Sequence, residues 1–534
     1  MDEPREEEKP ARWGRSDVVA VLCLMAISSV IHAWQIAHTT VAARDSIGFI
    51  RFAWELEHEN WLDVLRRHRH PPLYPLTILA VSMPFRSIVD WPEAFSMQYS
   101  AQLATALAGV LLVIPMYSIG RILFDRRVGF WGSLLFQCLP VGSRALSDGL
   151  TEGLYLLLLA TIVLLSHLAV RRGSIVLFGV CGLCGGLAYL TRPEGAMSVV
   201  ATGVLLAICS FRRDWISSRW RLVGCAASLL VGAAATASPY MIAIGGITNK
   251  TSSRWILEKL SLSCLSNDAT RGQREVRPET RTPGCVNGRF AIVPVWGAFR
   301  PNWTKDDHHG NLPWAVLTFV KELGKAFHYV ALLPAVFGWW WFREWFRRQP
   351  VGMMLAILFL FQALMVLTLG VVAGYMSERH MLLFVLGSSF FAVAAIFEFA
   401  RRFCTDKRRC LTERLLLSFL IVCALPSALK TMHSSRAGFR EAGLWLAKNA
   451  NPADEIVDPF CWSAFYAERT FRPRSFSVPE GYVPKRFVVL DTAHHEHQPL
   501  LEFAKMLAKK GMVVYEWQRS AKEARVLVFM VPDS

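Results

Sequence analysis

The stretch SRALSDGLTEGLYLLLLATIVLLSHLAVRRGSIVLFGVCGLCGGLAYLTRPEG covers residues 143–195. It holds two apolar runs, 150–170 and 174–190, with Arg171 and Arg172 between them. A helix needs about 20 mostly apolar residues to cross a bilayer. The two runs therefore read as a membrane hairpin with a basic turn. Its outer ends carry a different chemistry: Arg144, Asp148 and Glu152 at one, Arg192 and Glu194 at the other. A charge deep in a bilayer costs at least ~2.5–3.5 kcal/mol, so charged groups at span ends need a partner or a purpose.

Outward from this hairpin, further apolar runs lie near 17–38, 97–120, 128–141, 195–211, 222–245, 326–342, 351–373, 381–400 and 411–430. With the hairpin they predict about eleven spans. Lys and Arg in short loops set the orientation. Five alternate loops hold eighteen basic residues, whereas the short loops between them hold only Arg144, Arg192 and Arg379. The expected layout is a cytoplasmic tail (1–16), a span-bearing domain (17–430) and a non-cytoplasmic C-terminal domain (431–534). Two large outer loops are expected at about 39–96 and 246–325.

Composition agrees with a polytopic α-helical membrane protein. The 534-residue chain is 53% hydrophobic before glycine is counted and 19% charged. An ordinary soluble domain reaches roughly 45–50% with glycine included, and about a quarter charged. The net charge of +16 follows from basic loops facing an anionic leaflet. No base-reading motif accompanies them, so no nucleic-acid partner is expected. Most cysteines lie in spans, where a thiol packs as a small hydrophobe. Cys181 and Cys184 sit in a glycine-rich run that reads as helix packing rather than a redox pair. Cys264 and Cys285 share the second outer loop and are the one candidate disulfide.

From about residue 431 the pattern changes. A helical period over 438–450 and 500–511 alternates with β-rich runs at 455–460, 486–491 and the two last strands MVVYEW and ARVLVFMV. This predicts a small open α/β sheet of about four strands. No glycine-rich phosphate loop follows a strand. The run His494-His495-Glu496-His497 reads as a solvated loop rather than a metal site.

The candidate site residues are ionisable groups at outer span ends. Asp45, just after the first span, suits a general base for an incoming hydroxyl. The competing reading is an N-cap, with Asp45 or Ser46 opening an amphipathic helix over 46–58. His70 in HRHPPLYPL is expected at a helix start, where positive partial charge gathers and a phosphate can sit. Asp148 and Glu152 lie four apart and share a helix face. Arg192 and Arg379 stand on the side that basic residues avoid, and arginine binds phosphate bidentately. Gathered at one face, these groups suit a lipid-linked phosphate.

In order and spacing these pieces resemble the polytopic glycosyltransferases of the GT-C fold. The likeness is to the bacterial lipid A aminoarabinose and lipopolysaccharide-core galacturonosyltransferases, relatives of the protein O-mannosyltransferases. It rests on Arg44-Asp45, the segment His70 to Leu76, the Glu152 region, LAYLTRPEG (187–195), the stretch Thr248 to Ser252 and YMSERHMLL (375–383). The resemblance implies inverting sugar transfer from a polyprenyl-phosphate donor to a lipid, glycan or protein acceptor, in a bacterial inner membrane. Asp45 would be the catalytic base. His70, Arg192, Arg379 and His380 would bind the donor phosphate. Arg44, Tyr74, Asp148, Glu152 and Glu194 would contact substrate. The resemblance fixes no cofactor and leaves a divalent metal open. Many relatives carry a second acid directly after the first; here it is Ser46, which weakens a two-carboxylate metal site at this point. The alternative is a transporter or flippase of a lipid-linked sugar, which would place its polar groups nearer the bilayer midplane.

Overall fold

The computed structural model describes residues 13–212, 219–250, 311–344, 348–473, 476, 478–492, 499–520 and 525–532. The candidate disulfide Cys264–Cys285 and the run His494 to His497 lie outside them. So do Thr251, Ser252 and most of the tail and second outer loop.

Eight described helices are long and apolar enough to cross a membrane. They include α1 (Arg15–Ala37), α5 (Glu93–Leu123), α8 (Glu152–Arg172), α10 (Ala196–Phe211) and α11 (Arg219–Ile244). The last three are α14 (Pro350–Ala373), α15 (Leu382–Phe403) and α16 (Asp406–Ala428). The other three expected spans are also helical but shorter. One is α9 (Ile175–Thr191). A second, α6 (Arg126–Cys138), stops because Leu139 precedes Pro140 and is forced extended; α7 (Pro140–Ala145) follows. The third, expected at 326–342, is only α13 (Leu332–Trp341); it follows α12 (Leu312–Ala326), a helix in the stretch expected as outer loop. His328 and Tyr329 between them take positive φ, which no helix tolerates.

The spans pack through small residues, as expected where lipid supplies no hydrophobic drive between helices. Gly182 of α9 and Gly232 of α11 each face the backbone of the other helix, with no room for a side chain. Cys181 is buried in this seam as a free thiol. Helix α15 is buried almost throughout its first five turns and forms the centre of the bundle. Leu230, Val231 and Ile242 of α11 and Leu415, Phe419 and Val422 of α16 are exposed, as lipid-facing positions would be.

Between α1 and α5 the chain builds three helices: α2 (Arg44–His58), α3 (Trp61–Arg67) and α4 (Leu73–Ile88). The C-terminal segment forms α17 (Ala437–Asn449), α18 (Trp462–Tyr466), α19 (Pro499–Ala508) and a four-stranded sheet. Its strands are β1 (Glu455–Val457), β2 (Arg486–Asp491), β3 (Met512–Trp517) and β4 (Val526–Val531), in the order β1-β2-β4-β3. β1 runs parallel to β2; the other pairs are antiparallel. This segment shares one apolar core with the loop helices: Ile47, Ile50, Tyr74 and Met97 pack with Phe439, Trp462, Phe465 and Tyr466.

Candidate active site

Four turns supply the site, and each is fixed by local sequence. The first opens α2. Its N-cap is Ala43, so Asp45 falls in the first helical turn rather than at the cap. A carboxylate there complements the helix dipole. Asp45 stays open, with its side chain 59% exposed, and it accepts from Arg379 Nη2 at 3.0 Å. Ser46 is buried beside Gly149, whose φ of +68° suits glycine and whose Cβ position is occupied by the Ser46 hydroxyl. A carboxylate at 46 would not fit this space.

The second turn opens α8 with Glu152, buried at the helix start. The third joins α9 to α10. A Cβ on Gly195 would lie 2.2 Å from the Ala188 carbonyl carbon, so only glycine permits the tight reversal. That reversal brings Arg192 and Glu194 together, with Arg192 Nε 3.8 Å from Glu194. Arg192 Nη1 also donates to Glu152 at 3.0 Å. Burial works against the charge on Arg192, but Glu152 and Glu194 outweigh it and raise its pKa. The fourth turn precedes α15. Ser377 N–H donates to His380 Nδ1 at 3.2 Å, and Gln362 holds the His380 carbonyl. This turn aims Arg379 at Asp45, within electrostatic reach of Glu152.

Lys250, which follows α11, completes the ring by donating to Glu194. Sequence reasoning quoted Lys250 in a motif but gave it no role. Its signal was a lone lysine directly after a span. His70 faces Lys250, Asp45 and Arg192. It does not lie at a helix start: α4 is capped by Pro72, two residues on. His70 packs edge-on against Phe49, and burial with the neighbouring Lys250 pushes its pKa down to about 4. It is therefore a neutral hydrogen-bonding group at neutral pH, not a cation.

Three expected substrate contacts fall elsewhere. Tyr74 is fully buried under Phe49, and its hydroxyl bonds Ala101 O and Thr105 Oγ1. Asp148 bonds His433 at 2.8 Å and ties the bundle to the C-terminal segment. Arg44 turns toward Cys461 in that same segment. Local spacing could not reveal these partners, which lie between 27 and about 420 residues away.

The C-terminal segment grips the backbone that leads into Asp45. Trp462 Nε1 donates to Ala42 O at 2.8 Å, and Ala42 N–H donates to Tyr466 Oη at 2.9 Å. Arg440 donates to Thr40 O at 3.0 Å. Below this turn lies a cluster that sequence reasoning missed. Buried Glu55 accepts from Arg51 at 2.7 Å and Arg67 at 3.0 Å, and pairs with His68 at 2.7 Å. Burial alone would raise its pKa, but these partners hold it well below the usual carboxylate range. Among the described residues no three His, Cys, Asp or Glu side chains gather into a metal-binding set.

The site thus joins three carboxylates and three cations at interhelical turns of a helical bundle, with an open acid at its edge. The model of the dolichyl-phosphate-mannose-protein mannosyltransferase family matches residues 93–237, which include Glu152, Arg192 and Glu194. Comparison with curated protein sequences finds no match. The chain thus carries a GT-C-type membrane fold, and its segment 93–237 matches the mannosyltransferase family's model. Among solved structures it is similar to ArnT from Cupriavidus metallidurans bound to undecaprenyl phosphate. That pair has 13% identity and a TM-score of 0.54, over 96% of this chain and 98% of that one. The apo state of ArnT matches at 14% identity and a TM-score of 0.52. The Archaeoglobus fulgidus oligosaccharyltransferase matches at 13% identity and a TM-score of 0.47, and this chain spans 61% of its length.

Proposed function

We propose that the chain moves a sugar from a polyprenyl-phosphate donor to an acceptor hydroxyl or amine at the non-cytoplasmic membrane face, with inversion. Asp45 takes the acceptor proton. The acceptor atom attacks the anomeric carbon, and the bond from that carbon to the phosphate oxygen breaks. Both bonding electrons leave with the polyprenyl phosphate. That leaving group needs charge neutralisation rather than a strong acid. Arg192, Arg379 and Lys250 would supply it. His70 and His380 would add neutral hydrogen bonds.

The observation that carries this reading is the Asp45–Arg379 pair, an exposed carboxylate bonded to a cation at the rim of a wider acid–cation ring. An incoming phosphate competes for Arg379 and so releases Asp45 for the acceptor. The polyprenyl chain would lie along the apolar faces of the bundle. The basic-loop asymmetry supports a cytoplasmic N-terminus, and a bacterial inner membrane is the setting this donor suits.

Asp45→Asn preserves shape and removes the base. Mass spectrometry of envelope glycans and lipids should show the transferred sugar lost, with the variant still inserted at wild-type levels. Wild-type product from Asp45→Asn would end the assignment of this acid.

A further inference from the structure

A second cleft, of about 510 Å³, opens between the loop helices and the C-terminal segment. Trp54, Arg86 and Glu93 line one side; Glu468, Arg469 and Arg472 line the other, with Phe471 and Phe476 as apolar wall. Its size falls in the usual range for ligand sites. The cations differ in state. Arg86 is satisfied: it forks onto both Glu57 oxygens, at 2.7 and 2.8 Å, and reaches Glu93 at 3.1 Å. Glu468 is also committed, accepting the Glu93 N–H at 2.9 Å.

Arg469 and Arg472 are not satisfied. Among the described residues Arg469 donates to the Ala450 and Asn451 carbonyls alone, and its buried Nε has no partner there. Arg472 lies over the Phe476 ring at 4.9 Å, and its Nη2 is buried without a partner. Asp454, the acid whose charge reaches both, is spent on Tyr482 and on the Asn451 and Lys485 backbone. Burial and mutual repulsion push Arg472 down to about 10, as expected for a guanidinium awaiting an anion. Buried donors of this kind are costly unless something fills them.

We propose that Arg469 and Arg472 form an anion-binding subsite for the acceptor, taking a phosphate or carboxylate on an acceptor saccharide or lipid headgroup. The aromatic wall suits an adjoining sugar ring. Trp54 lies nine residues along α2 from Asp45, about 14 Å at the helical rise. An acceptor held at both points is therefore longer than one sugar unit. This proposal rests on the glycosyltransferase reading above.

The test uses the full chain in phosphatidylcholine nanodiscs, titrated with inorganic pyrophosphate. An Arg379→Gln, Arg192→Gln, Lys250→Gln background silences the donor ring. Arg472→Gln should weaken binding about tenfold, the loss of one charge-assisted hydrogen bond, and Arg472→Lys should weaken it less. Equal binding by Arg472→Gln and its parent would overturn the subsite. In phosphatidylglycerol nanodiscs, loss of pyrophosphate binding identifies lipid headgroups as the occupants; retained binding identifies a soluble glycan anion. A transfer assay with a diluted envelope fraction then links the subsite to acceptor. In the otherwise wild-type chain, Arg472→Gln should raise the acceptor amount for half-maximal rate about tenfold, at unchanged maximal rate. An unchanged half-maximal amount would sink the link to acceptor. Asp45→Asn should leave the pyrophosphate titration intact, so failure of the catalytic reading shows separately.

Discussion

Two acid–arginine clusters lie on the same helix α2, and they are built oppositely. Around Glu55 every charge is answered: Arg51, Arg67 and His68 close on one carboxylate that is 1% exposed. Around Asp45 the groups face open space, and Arg379 beside it is about one-third exposed. The closed cluster pins α2 to α3 and to the turn bearing His70. The open one keeps charges where a ligand can compete for them. The same residue types make a structural rivet in one place and, on the proposed function, a reactive site in the other, and access separates the two.

The contrast can be broken most forcefully at Glu55. Removing one partner of a buried, hydrogen-bonded charge cluster costs about 3–5 kcal/mol. Glu55→Ala should therefore lower the denaturant midpoint sharply, and any residual activity should track the folded fraction. Arg379→Ala should do the reverse. Transfer should fall by about a hundredfold to a thousandfold, as for loss of one electrostatic stabiliser, while the unfolding midpoint barely moves. If both variants lose stability alike, the distinction between rivet and machinery fails.

A smaller effect sharpens the role of the grip on Ala42. Trp462→Phe keeps a smaller aromatic ring and removes one hydrogen bond, worth about 0.5–1.5 kcal/mol of stability, plus the packing of the lost half of the indole. If the grip orients Asp45, the maximal rate should drop more than that stability loss explains, with donor KM unchanged. The smallest effect is on pH. The His70 pKa is depressed from its ordinary value near 6.5 to about 4. Between these values the unfolded chain binds more protons, so stability rises with pH across that window and falls on acidification. His70→Asn should flatten part of this slope in thermal unfolding scans; an unchanged slope would remove His70 from the account.

The spans were legible because hydropathy and loop charge are local signals. The arginines at 192 and 379 drew notice because the charge bias predicts few basic residues there, and the structure brings both to the acid–cation ring. The finer placements were not. Tyr74 looks polar in sequence, but burial against Phe49 and two internal hydrogen bonds make it a packing residue. Asp148 looked like a substrate ligand because its partner, His433, lies 285 positions away. Lys250 needed the hairpin at Gly195 to bring Glu194 to it. The break at His328 and Tyr329 arises from backbone dihedrals that hydropathy does not encode.

The grip on Ala42 also bears on biosynthesis. Residue 42 emerges early from the ribosome, whereas Trp462 and Tyr466 emerge some 420 residues later. During that interval the nascent chain threads span after span through the bilayer with the turn that leads into Asp45 unmoored. Maturation of this turn is then a late event, complete only when the tail has folded back onto the beginning.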